Sequence, residues 1–496
     1  MNLASLLTNA ATSFPNRPAV TWGADTLTYR QLDHRVVVLD RWLRSRGAGP
    51  DTRVAVYMDN RPEFLISMFA TWRSGAALVP CNARLTAEEL SFLVADSGAS
   101  VIITDERHSS IARAASGGAT VCVAGPELEA ILDAETGADP PVVQAGDLAW
   151  LFYTSGTTGQ PKGAMLSHAI LMFVTVSWLA DLTPMNEADV TLHAAPLSHG
   201  AGFHALAATA RAAHQVIPES TSFEPEPILD LIRRHGVTNT WMVPTQIVML
   251  TEAVSGEPDI PTLRFIVYGG APMTPAATER AVRTFGPVFV QLYGQGETPM
   301  TATVLRREDH RAELYGSAGR ARPGVEVAIQ NEDGEPLPPE TVGEVVVRGA
   351  PVMGGYWRRP EATAEALRGG WLHTGDLGRL SEDGVLYLLD RTKDMIISGG
   401  SNVYAVEVEQ VLSAHSDVAD VAVVGVPDDL WGETVVAVVV PVGGRDFDVA
   451  SLEQHCRASL AGYKVPRQWV AVETLPRNAY GKVVKRELRA TLEANV

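Results

Sequence analysis

The run Tyr153-Thr154-Ser155-Gly156-Thr157-Thr158-Gly159-Gln160-Pro161-Lys162-Gly163 decides how this chain is read. Five of its eleven residues are Ser, Thr or Lys, three are Gly and none is acidic. Short hydroxyls, exposed backbone N–H groups and one cation together suit a polyphosphate. The glycines let the backbone curl close to such a ligand. The apolar Leu148-Ala149-Trp150-Leu151-Phe152 before it predicts a buried strand, so the loop springs from a sheet edge. A helix-like run is expected after Pro161-Lys162-Gly163. The pattern is not the P-loop of NTPases, which needs Gly before the Lys and Ser or Thr after it. Here Pro161 precedes Lys162 and Gly163 follows.

Working outward, 496 residues are too many for one core and predict about three or four lobes. The apolar fraction of 46% and the charged fraction of 20% are those of an ordinary globular protein. A formal net charge of −18 argues against DNA or RNA as a partner, which needs a basic face. Cys81, Cys122 and Cys456 are far apart and show no CxxC spacing, so they suggest neither a zinc site nor a disulfide framework. A reducing cytoplasm fits. The start, Met1 to Leu7, reads as an amphipathic helix without the basic and apolar regions of a signal peptide. No run of about 18 apolar residues predicts a membrane span.

Strands and helices alternate along most of the chain. Arg53 to Met58, Ala77 to Pro80 and Val101 to Thr104 predict strands; Pro62 to Gly75 and Glu88 to Ala95 predict helices. This rhythm implies parallel sheets with helices on their faces. Two later strands, Leu263 to Tyr268 and Val288 to Tyr293, each end in glycine and are candidate ligand edges. From about residue 320 the texture turns antiparallel, with Val325 to Ile329 and Gly343 to Arg348 around a turn. Past Asp394 it becomes α+β, with a helix over Tyr404 to Leu412 and strands over Val418 to Val426 and Thr434 to Pro441. The Ala/Gly-rich segment from Ile111 to Val123 reads as a surface excursion. The expected class is α/β: a large multi-lobed domain over 1–390, with two parallel-rich sheets and a small β-subdomain, a hinge at 391–393, and a small mobile α+β domain over 394–496.

Six further segments follow the opening loop in order. They are Pro196-Leu197-Ser198-His199-Gly200, Tyr268-Gly269-Gly270-Ala271-Pro272, Tyr293-Gly294-Gln295-Gly296-Glu297, Trp371-Leu372-His373-Thr374-Gly375-Asp376, Asp390-Arg391-Thr392-Lys393-Asp394 and Asn478-Ala479-Tyr480-Gly481-Lys482. With them the chain resembles the adenylate-forming superfamily of acyl- and aryl-CoA synthetases, adenylation domains and luciferases over nearly its full length, closest in pattern to acyl-CoA synthetases. The resemblance implies a two-step reaction. A carboxylate attacks the α-phosphorus of ATP to give an acyl-AMP, and a second nucleophile then displaces AMP. It also implies roles. Thr154, Ser155, Thr157, Thr158 and Lys162 would hold the departing pyrophosphate. Glu297 would bind Mg²⁺, which prefers carboxylate and phosphate oxygens. Tyr293 would stack on adenine, with Gly270, Ala271 and Pro272 as the other wall. Asp376 would accept the ribose hydroxyls, with Arg391 as a second ribose contact. Lys482 would bridge the reacting carboxylate and the α-phosphate. Lys393 would be the hinge about which the C-terminal domain turns between steps. One departure is Gly296, where most relatives carry Thr; Thr298, or the Gly296 N–H, is the expected substitute.

His199 matches the gate between the acyl and pantetheine pockets. The acid pocket is expected from Ser177, Ala201, Gly202, Trp241, Gly269, Leu292, Gly294 and Met300. One large flat wall among small residues suits an aromatic, cyclic or medium-chain acid. Ala195 stands where amino-acid-activating relatives place Asp, so a free α-amino acid is not expected. Arg84, Lys464 and Arg467 match cations for the CoA phosphates. Gly399, Gly400 and Trp431 match the pantetheine channel, and Tyr463 is placed to stack on the CoA adenine. CoA is the leading acceptor; an amine or carrier-protein acceptor stays open, as does a non-catalytic nucleotide binder. A homodimer is compatible with the sequence.

Overall fold

The computed structural model describes residues 2–125, 128, 140–154, 161–256, 258–271, 273–391, 394–398, 401–428, 432–444, 448–477 and 483–493. Two large sheets form the body. In the first the strands run in the order Thr120–Ala124, Val101–Asp105, Arg53–Tyr57, Ala77–Cys81, Leu148–Thr154, Lys162–Ser167. All neighbours are parallel except the last pair, which is antiparallel. The central strands are buried on both faces, which is why they read as continuous apolar runs without alternation. The Ser/Thr-rich run is thus a hairpin connection at the sheet's edge, with Tyr153 opposite Gly163 and Thr154 opposite Lys162.

Two expectations are corrected here. The Ile111 to Val123 segment is not a surface excursion. It holds the helix Ser109–Ala114 and the outermost strand Thr120–Ala124, whose Val121 pairs with Ile102. Small residues had hidden a strand that needs bulk only at Cys122, Val123 and Ala124, the positions it buries. The run after Pro161-Lys162-Gly163 is also a strand before it is a helix. Lys162–Ser167 completes the ladder, and the helix His168–Asp181 starts only where the Ser167 hydroxyl accepts the Ile170 N–H at 3.2 Å.

The second sheet has nine strands, in the order Arg320–Ala321, Thr303–Leu305, Phe289–Tyr293, Phe265–Tyr268, Asn239–Met242, Val190–Leu192, His214–Ile217, Pro18–Trp22, Asp25–Thr28. Its central members are parallel, so the glycine-ended strands Phe265–Tyr268 and Phe289–Tyr293 lie side by side with both carboxyl ends at one edge. The helices His168–Asp181 and Gly200–Ala210 lie between the sheets with Trp72, Trp150, Trp178 and Phe203 in one continuous core. A four-stranded antiparallel sheet follows, Val325–Gln330, Gly343–Gly349, Leu372–Leu380 and Leu386–Arg391. The C-terminal part is a separate α+β layer. Gly432–Pro441 pairs with Val418–Asp428, Ile396–Ser398 and Gln468–Ala471, and the helices Ala405–Ser413 and Val449–Ser459 pack on it. A large N-terminal α/β body with a small C-terminal α+β part is the expected architecture. The last strand of the antiparallel sheet runs on to Arg391, which pairs with Asp376.

Candidate active site

The base of the hairpin connection is built from three distant segments. Glu297 is buried, and its Oε1 accepts the Thr154 hydroxyl at 2.9 Å and the Tyr356 hydroxyl at 2.8 Å. Tyr356 arrives because residues 353–357 run along the free edge of Lys162–Ser167: Met165 N–H bonds Gly355 O, and Trp357 N–H bonds Gly163 O. Burial and the Glu297 charge push the Tyr356 hydroxyl above its ordinary range, so it stays a donor. The Lys162 ammonium lies 5.3 Å from the centre of the Tyr356 ring. On the other face of the hairpin, the Tyr153 hydroxyl donates to Asp96 at 2.8 Å. Tyr356 was missed in the sequence; an aromatic pair after Gly354-Gly355 was the available signal. Ser155, Thr157 and Thr158 lie outside the described residues.

A second carboxylate is prepared nearby. Asp376 Oδ2 accepts the Tyr293 hydroxyl at 2.7 Å and the Gln295 amide at 2.8 Å. Gln295 also donates to Thr374 O at 2.7 Å, so one side chain ties the Tyr293 segment to the Thr374–Asp376 stretch at two points. The stretch of strand carrying Asp376 is fastened by Glu344, which accepts from Gly375 N–H and from His373 Nδ1. Gly375 has φ +68°, a conformation that favours glycine. Gly270 likewise has φ +84° with open space where a side chain would be. Gln295 was not predicted, although it sits inside a quoted motif. Pro272 lies outside the described residues, as does the side chain of Arg391.

Gly296 has a packing reason. A Cβ there would stand 2.5 Å from Phe152 Cδ1 and 2.6 Å from Thr154 Cγ2, closer than real contacts allow. Thr298 is buried, and its hydroxyl accepts the Gln295 N–H at 3.1 Å and reaches Gln295 O at 3.4 Å. This hydroxyl therefore closes its own turn by accepting the Gln295 N–H, and its own O–H makes only the longer contact with Gln295 O.

Of the expected acid-pocket residues, Trp241, Gly269, Leu292, Gly294 and Met300 lie together. A Cβ on Gly200 would meet Trp241 at 2.6 Å and Met300 Sδ at 2.8 Å; one on Gly269 would meet Leu292 O at 2.7 Å; one on Gly294 would meet the Met300 backbone at 2.7 Å. Gly202 is instead tight against Leu197 O and Trp150, and Ala201 is buried beside it in the chain. Trp241 in turn packs on Trp178, ring centres 5.9 Å apart, and Trp178 neighbours Ser177 on its helix. His199 caps the helix Gly200–Ala210. Its Nδ1 is 2.8 Å from the Ser198 hydroxyl, and its ring stands edge-on to Phe152 at 5.5 Å. Asn60 clamps this loop, donating to Ala195 O at 2.7 Å and accepting from Leu197 N–H at 2.8 Å.

The expected C-terminal residues are more dispersed. Lys482, Lys393, Gly399, Gly400 and Trp431 lie outside the described residues. Tyr463 is exposed, with the Lys464 ammonium 5.8 Å from its ring. Lys464 donates to both oxygens of Glu407 at 2.7 Å, so its charge is locally neutralised. Arg84 and Arg467 are exposed.

Two family models match the chain: that of the AMP-binding enzymes over residues 7–357, and that of the AMP-binding enzyme C-terminal domain over residues 407–482. A feruloyl-CoA synthase of Amycolatopsis sp. is 40% identical, with 96% of each chain covered. Among solved structures, ATP-bound MatB from Rhodopseudomonas palustris superposes with a TM-score of 0.91 at 32% identity, covering 99% of both chains. The amide bond synthetase McbA from Marinactinospora thermotolerans gives a TM-score of 0.90 at 31% identity, again over 99% of both.

Proposed function

The chain belongs to the AMP-binding enzyme family and is an AMP-forming acid–thiol ligase, and we propose that it joins an aromatic acid to CoA through an acyl-adenylate. The observation that carries the reading is the convergence of Thr154, Tyr356 and Glu297 at the root of the hairpin connection, beside the Asp376–Tyr293–Gln295 cluster. The first group suits a polyphosphate with its cation, and the second suits a ribose diol and an adenine face. Glu297 fits Mg²⁺. It is a buried carboxylate whose described partners are two neutral hydroxyls, an arrangement that is costly until a cation joins it. Bound there, Mg²⁺ would neutralise phosphate charge. Lys162 and the hydroxyls of residues 154–158 would hold the departing pyrophosphate. Lys482 would steady the charge that develops as the acid's carboxylate oxygen attacks phosphorus. A turn of the C-terminal domain about Lys393 would then exchange Lys482 for the thiol-binding face.

Trp241 as a flat wall among glycines supports an aryl acid, and so does the likeness to a feruloyl-CoA synthase. Lys464, already paired with Glu407, would have to leave that carboxylate to reach a CoA phosphate. A cytoplasmic site is supported by three buried free thiols; no helix among the described residues is long and apolar enough to cross a membrane.

The test is pyrophosphate release over aryl, cyclic and aliphatic acids, with and without CoA, with the product weighed. An aryl thioester formed only with CoA is expected; an amide formed as readily from a free amine would overturn the acceptor. Lys482→Ala should nearly abolish acyl-AMP formation and spare thioester formation from supplied acyl-AMP. Equal loss in both halves would remove its assigned role.

A further inference from the structure

Arg322 is 1% exposed, and its guanidinium is only partly used. Nη2 donates to the Ser177 hydroxyl at 2.7 Å and to Asp181 at 2.7 Å, and Nε reaches Asp181 at 3.3 Å. Nη1 is buried and has no hydrogen-bond partner among the described residues. A buried charged donor left without an acceptor is costly, so its retention calls for an explanation.

Its place in the fold offers one. Ala302 N–H bonds Tyr293 O, and Arg322 N–H bonds Ala302 O. Arg322 therefore lies two strand spacings, about 10 Å, sideways from the tyrosine that holds Asp376. From there its side chain crosses to Ser177 and Asp181, which flank Trp178, and Trp178 packs on Trp241. The guanidinium is thus linked through Ser177 and Trp178 to the Trp241–Met300–Gly200 cluster. Its charge is already balanced by Asp181. A second carboxylate on the substrate would bring a net buried negative charge, whereas a neutral oxygen needs only the spare N–H.

We propose that Arg322, with the Ser177 hydroxyl, binds a neutral oxygen (hydroxyl, ether or ketone) at the end of the acid remote from its reacting carboxyl. This rests on the aryl-acid reading above and sharpens it to oxygenated aryl acids.

The experiment is calorimetric binding of two series, benzoic and cinnamic acids, each carrying H, OH, OCH₃ or COO⁻ at the para position. It is run on the full chain with a non-hydrolysable ATP analogue, so that it does not depend on turnover. In at least one series the OH or OCH₃ acid should bind about tenfold or more tighter than the H acid, and the COO⁻ acid weaker than either. Arg322→Lys, which keeps the charge opposite Asp181 but lacks the fork, should bring that ratio close to one. The Arg322→Met/Asp181→Leu pair, which removes both charges together, should do the same. A wild-type ratio near one in both series, a ratio unchanged in both variants, tightest binding by the COO⁻ acid, or no binding by any acid would each overturn the proposal. Absence of thioester product with tight, oxygen-dependent binding would instead sink the ligase reading and leave Arg322's role standing.

Discussion

Gly296 is the residue where this chain leaves its family's pattern, and its neighbour explains the departure. Phe152 occupies the volume that a side chain at 296 would need, and the same ring supports His199 edge-on. The two positions are therefore one packing decision. Gly296→Thr should cost about 1–3 kcal/mol by overpacking, read as a lower urea midpoint. Adding Phe152→Leu should recover most of that loss, giving a favourable coupling between the two changes. If Gly296→Thr alone is as stable as the parent, the packing account fails. In the sequence the glycine was visible as an anomaly. Its cause was not, because Phe152 is distant in the chain and nothing local links them.

At the scale of elements, the helix Ala87–Ser97 shows how an ordinary device reaches the site. It starts with a capping box: Glu89 N–H bonds the Thr86 hydroxyl at 3.3 Å, and Thr86 N–H bonds the Glu89 carboxylate at 2.8 Å. It ends at Gly98, with φ +65°. Near its end Asp96 accepts the Tyr153 hydroxyl, and its backbone oxygen accepts the Trp357 indole at 3.1 Å. One helix end thereby anchors both the hairpin connection and the segment that delivers Tyr356. Thr86→Ala should cost about 1 kcal/mol, with faster amide exchange over residues 87–90, and Thr86→Ser should restore both. Unaltered exchange in the alanine variant would show that tertiary packing alone holds this end. The helix was legible from its spacing. The strand Lys162–Ser167 was not, because its pairing partner supplies the pattern and Gly163 weakens its own signal.

For the molecule as a whole, pH should act through histidines. Burial pushes His168, His193, His214 and His310 down to about 4, and His204 to about 3. Each is held neutral in the fold; His168 Nδ1, for example, accepts the Leu3 N–H. In the window from about 6.5 down to 4 the unfolded chain binds more protons than the folded one, so stability falls as pH falls. His108 runs the other way, raised by its bond to Asp105, but it is one group against these five and His235, which burial also lowers. Between pH 7 and 5, above the carboxylate range, the loss should be on the order of 1–2 kcal/mol for each fully buried histidine. Denaturant titrations across that range check it; a flat profile would mean that the buried imidazoles relax or hydrate on protonation.

The amino-acid sequence by itself determined the class of fold, the order of the lobes and the chemistry to expect. Alternating apolar runs and turn residues are local signals, and seven motifs in order name a reaction through the family they resemble. Only the tertiary structure decided how the hairpin connection from Tyr153 to Gly163 is held. Thr154 meets Glu297 across 143 positions and Tyr356 joins them from a third segment. It also decided that the Thr298 hydroxyl bonds within its own turn and that the Arg322 guanidinium reaches Ser177 and Asp181. These outcomes are contacts between segments that share no local pattern, so packing alone selects them.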